Sequence, residues 1–293
     1  MPACNLIIDS CCDLPHEMID QPGITMLPFP YFFDDEEFAD DLFQSVTAKD
    51  FYDRMRTGAR PTTAQLPMAR LIDCFESFAD SDKPTIYLSF TSGMSKSFDV
   101  ACMAAEQVRE AHPGMELHVV DTLMASSGEA LIVAEAINQW KAGLTAQELE
   151  DWTVQARRTA NVCFFVDDLG NLARGGRMPK SIAYVGSKIS LKPLLYIAKD
   201  GSIQTWGAVR GRKKAIAKLV STMEKRLDEK CPYKQIIIGH CDCPDDAQAL
   251  AAEISQAHPD AEVIVTNVCS TVGCHEGPGA MNLSFWGQDR NYD

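Results

Sequence analysis

The sequence predicts an α/β protein of two domains: an N-terminal, mostly parallel sheet with helices on both faces, followed by a C-terminal mixed α/β domain. Three observations carry that expectation. Through residue 159, short apolar runs alternate with amphipathic stretches, as strands and helices do around a parallel sheet. The apolar runs end in small polar residues (Asp9-Ser10, Ser89 to Ser92, Asp121-Thr122), and ligands in such sheets sit off the carboxyl ends of the strands. Past residue 160 the rhythm changes, because Asp200-Gly201 is a hairpin turn signal between two extended runs. The boundary falls near 159–162, giving domains 1–160 and 161–293.

In chain order, 4–8 reads as the first strand, followed by a loop at 9–15 and a short helix to about Ile19. Residues 24–32 are apolar, but Pro28 and Pro30 restrict them to an edge or irregular extended segment. Residues 34–41 read as an acidic turn, and Thr47 as the N-cap of a helix through Arg56. A polar loop at 60–67 precedes a helix that Pro67 or Met68 opens and that runs to about Ala79. The apolar run at 86–88 breaks into a loop of hydroxyls, Ser89, Thr91, Ser92, Ser95 and Ser97. Apolar residues then recur at helical spacing from Phe98 to Val108.

Residues 116–120 form the next strand, 127–142 a helix, and Thr145 with Glu148 a capping box for a helix to about Thr159. In the second domain, strands are expected at 162–166, 194–198, 203–206, 234–240, 261–268 and 280–286. Helices are expected at 168–173 (one turn), 181–189, 212–229 and 244–257. Pro193 is read as the end of a helical continuation, and the glycine-rich stretch 273–279 as a loop.

Composition narrows the function classes. The net charge is −14, which argues against general nucleic-acid or anionic-membrane binding. No apolar run is long enough to span a bilayer, so no stable membrane insertion is expected. Eleven cysteines with no recognisable secretion signal suggest a reducing, cytoplasmic setting. The charge is uneven: residues 174–218 hold eleven Lys/Arg and one acid, Asp200, and are therefore +10 in a chain that is otherwise −24. A block this one-sided is expected to face an anionic ligand or an acidic partner rather than only solvent.

The hydroxyl-rich loop before the helix at 97–111 is the stretch with the clearest chemistry. A helix N-terminus offers unpaired N–H groups and partial positive charge, the loop adds hydroxyl donors, and Gly93 lets backbone approach a ligand. The alternative is that Ser95 or Ser97 only caps the helix. Gly93-Met94-Ser95-Lys96-Ser97 is also one residue from a G-x-S-x-G nucleophile elbow. With His275 downstream it admits a second reading, a serine hydrolase or acyltransferase built on Ser95 and His275. His240, Cys241, Cys243, Cys269, Cys274 and His275 supply enough ligand types for zinc, at spacings that match neither a ribbon nor a finger. No phosphate-binding glycine fingerprint is present, and no cofactor is expected.

Eight motifs in order resemble the DegV family of bacterial fatty-acid-binding proteins. They are IIDSCCDLP at 7–15, PTTAQLP at 61–67, SFTSGMSKSFDVA at 89–101, VVDT at 119–122, LARGGRMPKS at 172–181, SLKPLLYIAKDGSI at 190–203, AVRGRKKA at 208–215 and HEGPGAMNLSFWG at 275–287. The resemblance implies a DegV-like pair of α/β domains holding one long-chain fatty acid between them, in a carrier that is not itself an enzyme. It also implies a partner, the catalytic subunit of a fatty acid kinase, to which the carboxylate is presented. Matched by motif, Thr63, Ser95, His275 and Arg177 are expected at the carboxylate, and Arg210 facing the partner or the phosphate. The chain departs from the family pattern at Ala64, Lys96, Ser97 and Glu276. Ile182, Leu191, Leu194 and Ile203 are candidate tail contacts, although each is as readily an ordinary core residue.

Overall fold

The computed structural model describes residues 2–179 and 191–290. Its first sheet has four strands, β1 (Asn5–Asp9), β2 (Ile24–Leu27), β6 (Thr85–Ser89) and β7 (Leu117–Asp121), in the order β2-β1-β6-β7 and all parallel. A small antiparallel sheet of β3 (Pro30–Phe33), β4 (Glu36–Ala39) and β5 (Thr62–Thr63) stands beside it. The helices of this half are α1 (His16–Ile19), α2 (Ala48–Arg56), α3 (Met68–Glu76), α4 (Ser97–Ala111), α5 (Ser127–Ala142) and α6 (Ala146–Ala156). The second half is a six-stranded mixed sheet, β10-β9-β8-β13-β11-β12. Its strands are β8 (Ala160–Phe165), β9 (Leu191–Ile197), β10 (Ile203–Arg210), β11 (Gln235–His240), β12 (Glu262–Asn267) and β13 (Met281–Trp286). Its helices are α7 (Leu169–Arg174), α8 (Arg212–Arg226), α9 (Pro244–Ala257) and α10 (Ser270–Glu276).

Strand alternation splits the second sheet's side chains between two cores. Cys163, Phe165, Leu194, Leu283 and Phe285 pack with Ala215 and Leu219 of α8 and Leu250 of α9. Val162, Phe164, Leu195, Ile197 and Trp286 face the other way and join the core of the N-terminal sheet. Helix α5 packs on β8, β11 and β13 of the second sheet and on the turn at 10–12 and helix α6 of the first half, and is buried almost all round. One core therefore runs through both halves.

Local rules account for most boundaries. Thr47 caps α2 by accepting from the Asp50 N–H, and Thr145 and Glu148 form both bonds of a capping box. Asp200 and Gly201 turn β9 into β10, with Gly201 at φ 76°.

Three readings are corrected. Residues 36–39 are strand β4 rather than turn, because Phe38 stacks on Tyr31 of β3 with ring centroids 5.3 Å apart. Pro193 lies inside β9. The ladder to β8 ends at the Phe165–Leu194 pair, so at Pro193 only β10 is paired and the missing N–H breaks no bond to β8. The stretch 273–279 is helical at its start. The buried Asp40 carboxylate accepts from the backbone N–H of Ser270 (3.4 Å) and Thr271 (2.8 Å), and so caps α10 from 230 residues away. The helix expected at 181–189 lies outside the described residues, as does Ile182. Among the described residues, no helix is long and apolar enough to cross a membrane.

Candidate functional site

The polar strand ends do converge. Asp9, at the end of β1, accepts from the Tyr87 hydroxyl (2.8 Å), the Phe90 N–H (2.8 Å) and the Cys11 N–H (3.0 Å). Burial raises its pKa to about 6, against these three bonds. Asp121 of β7 holds the next turn through the Ser92 N–H at 3.3 Å. The serine loop is thus fixed at its root by two carboxylates from neighbouring strands.

Gly93 lines the cavity described below and also packs against the second half. A Cβ there would lie 2.4 Å from the Gly201 carbonyl carbon and 2.6 Å from the Asp200 oxygen. The serine loop presses on the β9–β10 turn, and Thr91 Oγ1 donates to the Gly201 carbonyl at 3.2 Å. This contact is a seam between the two halves.

Ser95 Oγ accepts from the Ser97 N–H (3.1 Å) and donates to Ser97 Oγ (3.0 Å), while Ser97 Oγ accepts from the Leu66 N–H (3.1 Å). Ser95 thus bonds the first N–H of α4 from one position before the N-cap, Lys96, which makes no side-chain cap bond, and Ser97 ties the serine loop to the threonine loop. Lys96 points outward to Asp99 at 2.9 Å.

Thr63, held in β5 by pairing with Tyr31, lies 2.9 Å from His275 Nε2. Burial, and then the nearby Arg177 charge, push the His275 pKa down to about 4, so the ring is neutral. Nδ1 is buried without a partner among the described residues. A bare lone pair there costs less than an orphaned N–H, so the proton belongs on Nε2, donated to Thr63 Oγ1. The Thr63 hydroxyl hydrogen is then free to point elsewhere. Gly175 presses on the same ring, since a Cβ at that position would sit 2.0 Å from Nδ1. Arg177 donates from Nε to the Met94 carbonyl (3.1 Å) and from Nη1 to the Gly175 carbonyl (2.5 Å), clamping the serine loop to α7.

Thr63, Ser95, Arg177 and His275 all line one cavity of about 490 Å³. Phe29 and Phe90 of the first half, and Val162, Phe164, Ile197 and Ile203 of the second, supply apolar wall. Thr63, Arg177 and His275 also line a smaller cavity of about 200 Å³ with Arg60 and Arg174, so they form the partition between the two.

Other expected residues lie elsewhere. Ile203 lines the cavity, whereas Leu191 is 48% exposed and Leu194 belongs to the core behind the sheet. Arg210 is exposed at the end of β10, outside the cavity, and the helix after it begins only at Arg212. Part of the basic block is taken up by acids of the same chain: Lys192 bonds Asp167 (2.7 Å), Arg212 bonds Asp246, and the exposed Lys199 pairs with Asp289 (2.6 Å).

The hydrolase geometry is not formed. Ser95 bonds Ser97, His275 bonds Thr63, and no acid among the described residues meets His275 Nδ1. Among the described residues, no three His, Cys, Asp or Glu side chains are grouped to hold a metal ion.

Sequence reasoning singled out Glu276 as a departure beside His275 but missed the polar stretch of wall it belongs to, with Cys11, Ser126, Thr271 and Asn282. Glu276 accepts from Asn282 Nδ2 at 3.2 Å and from the Cys241 thiol at 3.6 Å, and burial together with the nearby Asp13 raises its pKa to about 8. Asn282 Nδ2 also reaches Ser126 Oγ (2.8 Å), which donates to Asp13 (2.5 Å). Period two along MNLSFW was the available signal. It puts Asn282 and Ser284 on the face opposite Met281, Leu283 and Phe285.

Over residues 3–287 the chain matches a family model described as "Uncharacterised protein, DegV family". A DegV domain-containing protein of Clostridium perfringens is 31% identical over 286 residues, covering 97% of this chain and 98% of the other. A solved structure described as fatty acid binding of a DegV family protein from Thermus thermophilus has a TM-score of 0.82 at 25% identity, covering 98% of this chain and 100% of that one. The Streptococcus pneumoniae Fatty Acid Kinase (Fak) B3 protein, loaded with linoleic acid, shares the fold with a TM-score of 0.82 at 19% identity, covering 97% and 99%.

Proposed function

This chain belongs to the DegV family, and from that premise we propose that it is a fatty-acid-binding carrier holding one long-chain acid between its two α/β halves. The observation that carries the reading is the 490 Å³ cavity, apolar over much of its wall, with two hydroxyls and a neutral histidine at one boundary. A lone carboxylate is costly in such a place unless hydrogen-bonded. Thr63 has a hydroxyl hydrogen to give, and Ser95 gains one by turning away from Ser97. Arg177 brings positive charge, and the first turn of α4 adds a favourable dipole. Buried methylenes then contribute about 0.8 kcal/mol each. The fatty acid bound by the Thermus thermophilus relative supports the same reading.

The finer part of the proposal is presentation of the carboxyl to a fatty acid kinase. Its support is that Thr63, Arg177 and His275 stand between the large cavity and a smaller one lined by Arg60 and Arg174, and that Arg210 is exposed outside the large cavity. Cationic side chains outside the cavity suit an acidic partner and an anionic acyl phosphate. Mixing the purified protein with the kinase, ATP and a fatty acid tests this part. Acyl phosphate forming only when both proteins are present supports it, and kinase turnover indifferent to this protein contradicts it.

A further inference from the structure

Resting on the reading that the large cavity holds a fatty acid with its carboxylate at Thr63 and Ser95, we propose that the small cavity beside it is a phosphoryl-group site built from Arg60, Arg174 and Arg177. The group is either the phosphate end of an acyl phosphate or a separate phosphate ion. The small cavity measures about 200 Å³. Thr63, Arg177 and His275 wall both spaces, so an anion in the small one lies beside the headgroup end of the large one.

The charge around this space is one-sided. Three arginines line it, and among the described residues no Asp or Glu does. The chain has 41 acidic residues against 27 Lys and Arg, so acids are not scarce. Elsewhere they are used: Arg56 pairs with Asp53 and Asp242, Arg70 with Glu37, Arg158 with Asp289, and Arg212 with Asp167 and Asp246. Arg60, by contrast, makes no hydrogen bond or ion pair among the described residues. Arg174 donates to the Asn171 side-chain oxygen, and Arg177 to the carbonyls of Met94 and Gly175. Neutral oxygens satisfy N–H groups but leave the positive charges unanswered. Burial accordingly holds the Arg177 pKa below its ordinary value, as for a cation short of an anion.

Like charges gathered round one space repel and do nothing for the fold. A phosphoryl group is their complement. It carries a charge of about −2 and three acceptor oxygens, and guanidinium forks bond such oxygens in pairs. Thr62 lines the same space with a further hydroxyl. A carboxylate brings a single charge and would leave most of the positive charge unanswered. Arg60 and Arg174 are exposed, so a small anion reaches the site from solvent.

Titration calorimetry on this protein alone, at fixed ionic strength, tests the proposal. The probes are sodium phosphate, sodium acetate, stearic acid and the 2-oxoalkylphosphonate of the same acyl chain, in which a methylene replaces the bridging oxygen of an acyl phosphate. If the site takes the phosphate end of an acyl phosphate, the phosphonate binds the delipidated protein at least about tenfold tighter than stearic acid. If it takes a separate phosphate, the phosphonate has no such advantage, and inorganic phosphate binds the stearic-acid-loaded protein in preference to acetate. In both cases Arg60→Gln combined with Arg174→Gln is expected to weaken the phosphoryl probe at least about tenfold, with the melting temperature near native. A phosphonate no tighter than stearic acid, together with phosphate bound no better than acetate, overturns the proposal. So does phosphoryl binding that the double variant leaves unchanged. Stearic acid bound while both phosphoryl probes fail leaves the fatty-acid reading intact; stearic acid that does not bind removes that reading, and phosphate against acetate then decides the arginine site by itself. Should the double variant not fold, the native protein's titrations decide alone.

Discussion

His275 and Glu276 are neighbours whose proton affinities are shifted in opposite directions, and both shifts leave the side chain neutral. The histidine falls from 6.5 to about 4 and the glutamate rises from 4.5 to about 8, burial being the larger cause in each case. Linkage fixes the signs. Stability from His275 is complete above pH 6.5 and is lost as pH falls through about 4. Stability from Glu276 is complete below pH 4.5 and is lost as pH rises through about 8, and Asp13, raised from 3.8 to about 7, acts the same way. Between pH 6.5 and 8 only the carboxyl effects of this set remain, so the delipidated protein should melt progressively lower across that window. Glu276→Gln should flatten the slope, and thermal melts at constant ionic strength check it; an unchanged slope would mean Glu276 is already ionised. At the proposed carboxylate end, Thr63→Ala and Ser95→Ala should each weaken ligand retention. The double variant should lose more than either alone, by about tenfold or more, given roughly 1.5–3 kcal/mol for a hydrogen bond to a charged group. Native affinity in the double variant would move the headgroup elsewhere. Sequence motifs identified Thr63, Ser95, Arg177 and His275, which do line one cavity. They gave no sign that Ser97 would tie the two loops together, because that depends on Leu66 arriving from another element.

At the scale of elements, legibility followed the range of the cause. The capping box of α6, the Thr47 cap of α2 and the Asp-Gly turn between β9 and β10 are decided within a few residues, and all were readable. The start of α10 is decided by Asp40, and β4 by Tyr31 and Phe33, so neither was. Gly93 shows the same limit, since its neighbours in space are Asp200 and Gly201. Gly93→Ala should force the serine loop off the β9–β10 turn and destabilise the protein by about 1–3 kcal/mol, the usual cost of overpacking. Denaturant unfolding checks the loss, and a neutral effect would show that this seam has slack. Arg210, exposed at the end of β10, lies outside the cavity. Arg210→Ala should leave fatty-acid retention and melting temperature near native while lowering acyl-phosphate formation with the kinase at least about tenfold, as expected when a charge contact to a partner or phosphate is lost. Lost retention with normal turnover after reloading would reverse that assignment.

Taken whole, the molecule joins a parallel sheet and a mixed sheet through one core, with the cavity between them. Alternation of strands and helices made the two halves legible. The continuity of the core was not, because it depends on α5 being apolar on both faces, a pattern that in sequence resembles any buried helix. The +10 block was legible as a count but not as a surface, since Lys192 and Arg212 are drawn onto acids in partly buried pairs and Lys199 pairs with Asp289 at the surface. The central claim is that the cavity holds a single fatty acid. Native mass spectrometry of the freshly purified protein, before and after solvent extraction, tests it most directly. A mass excess of about one long-chain acid per chain is expected, removed by extraction and restored by adding fatty acid, because a preformed apolar cavity with a few convergent polar groups is built to be filled. No acyl species in the extract, together with no binding of added fatty acid, would contradict it.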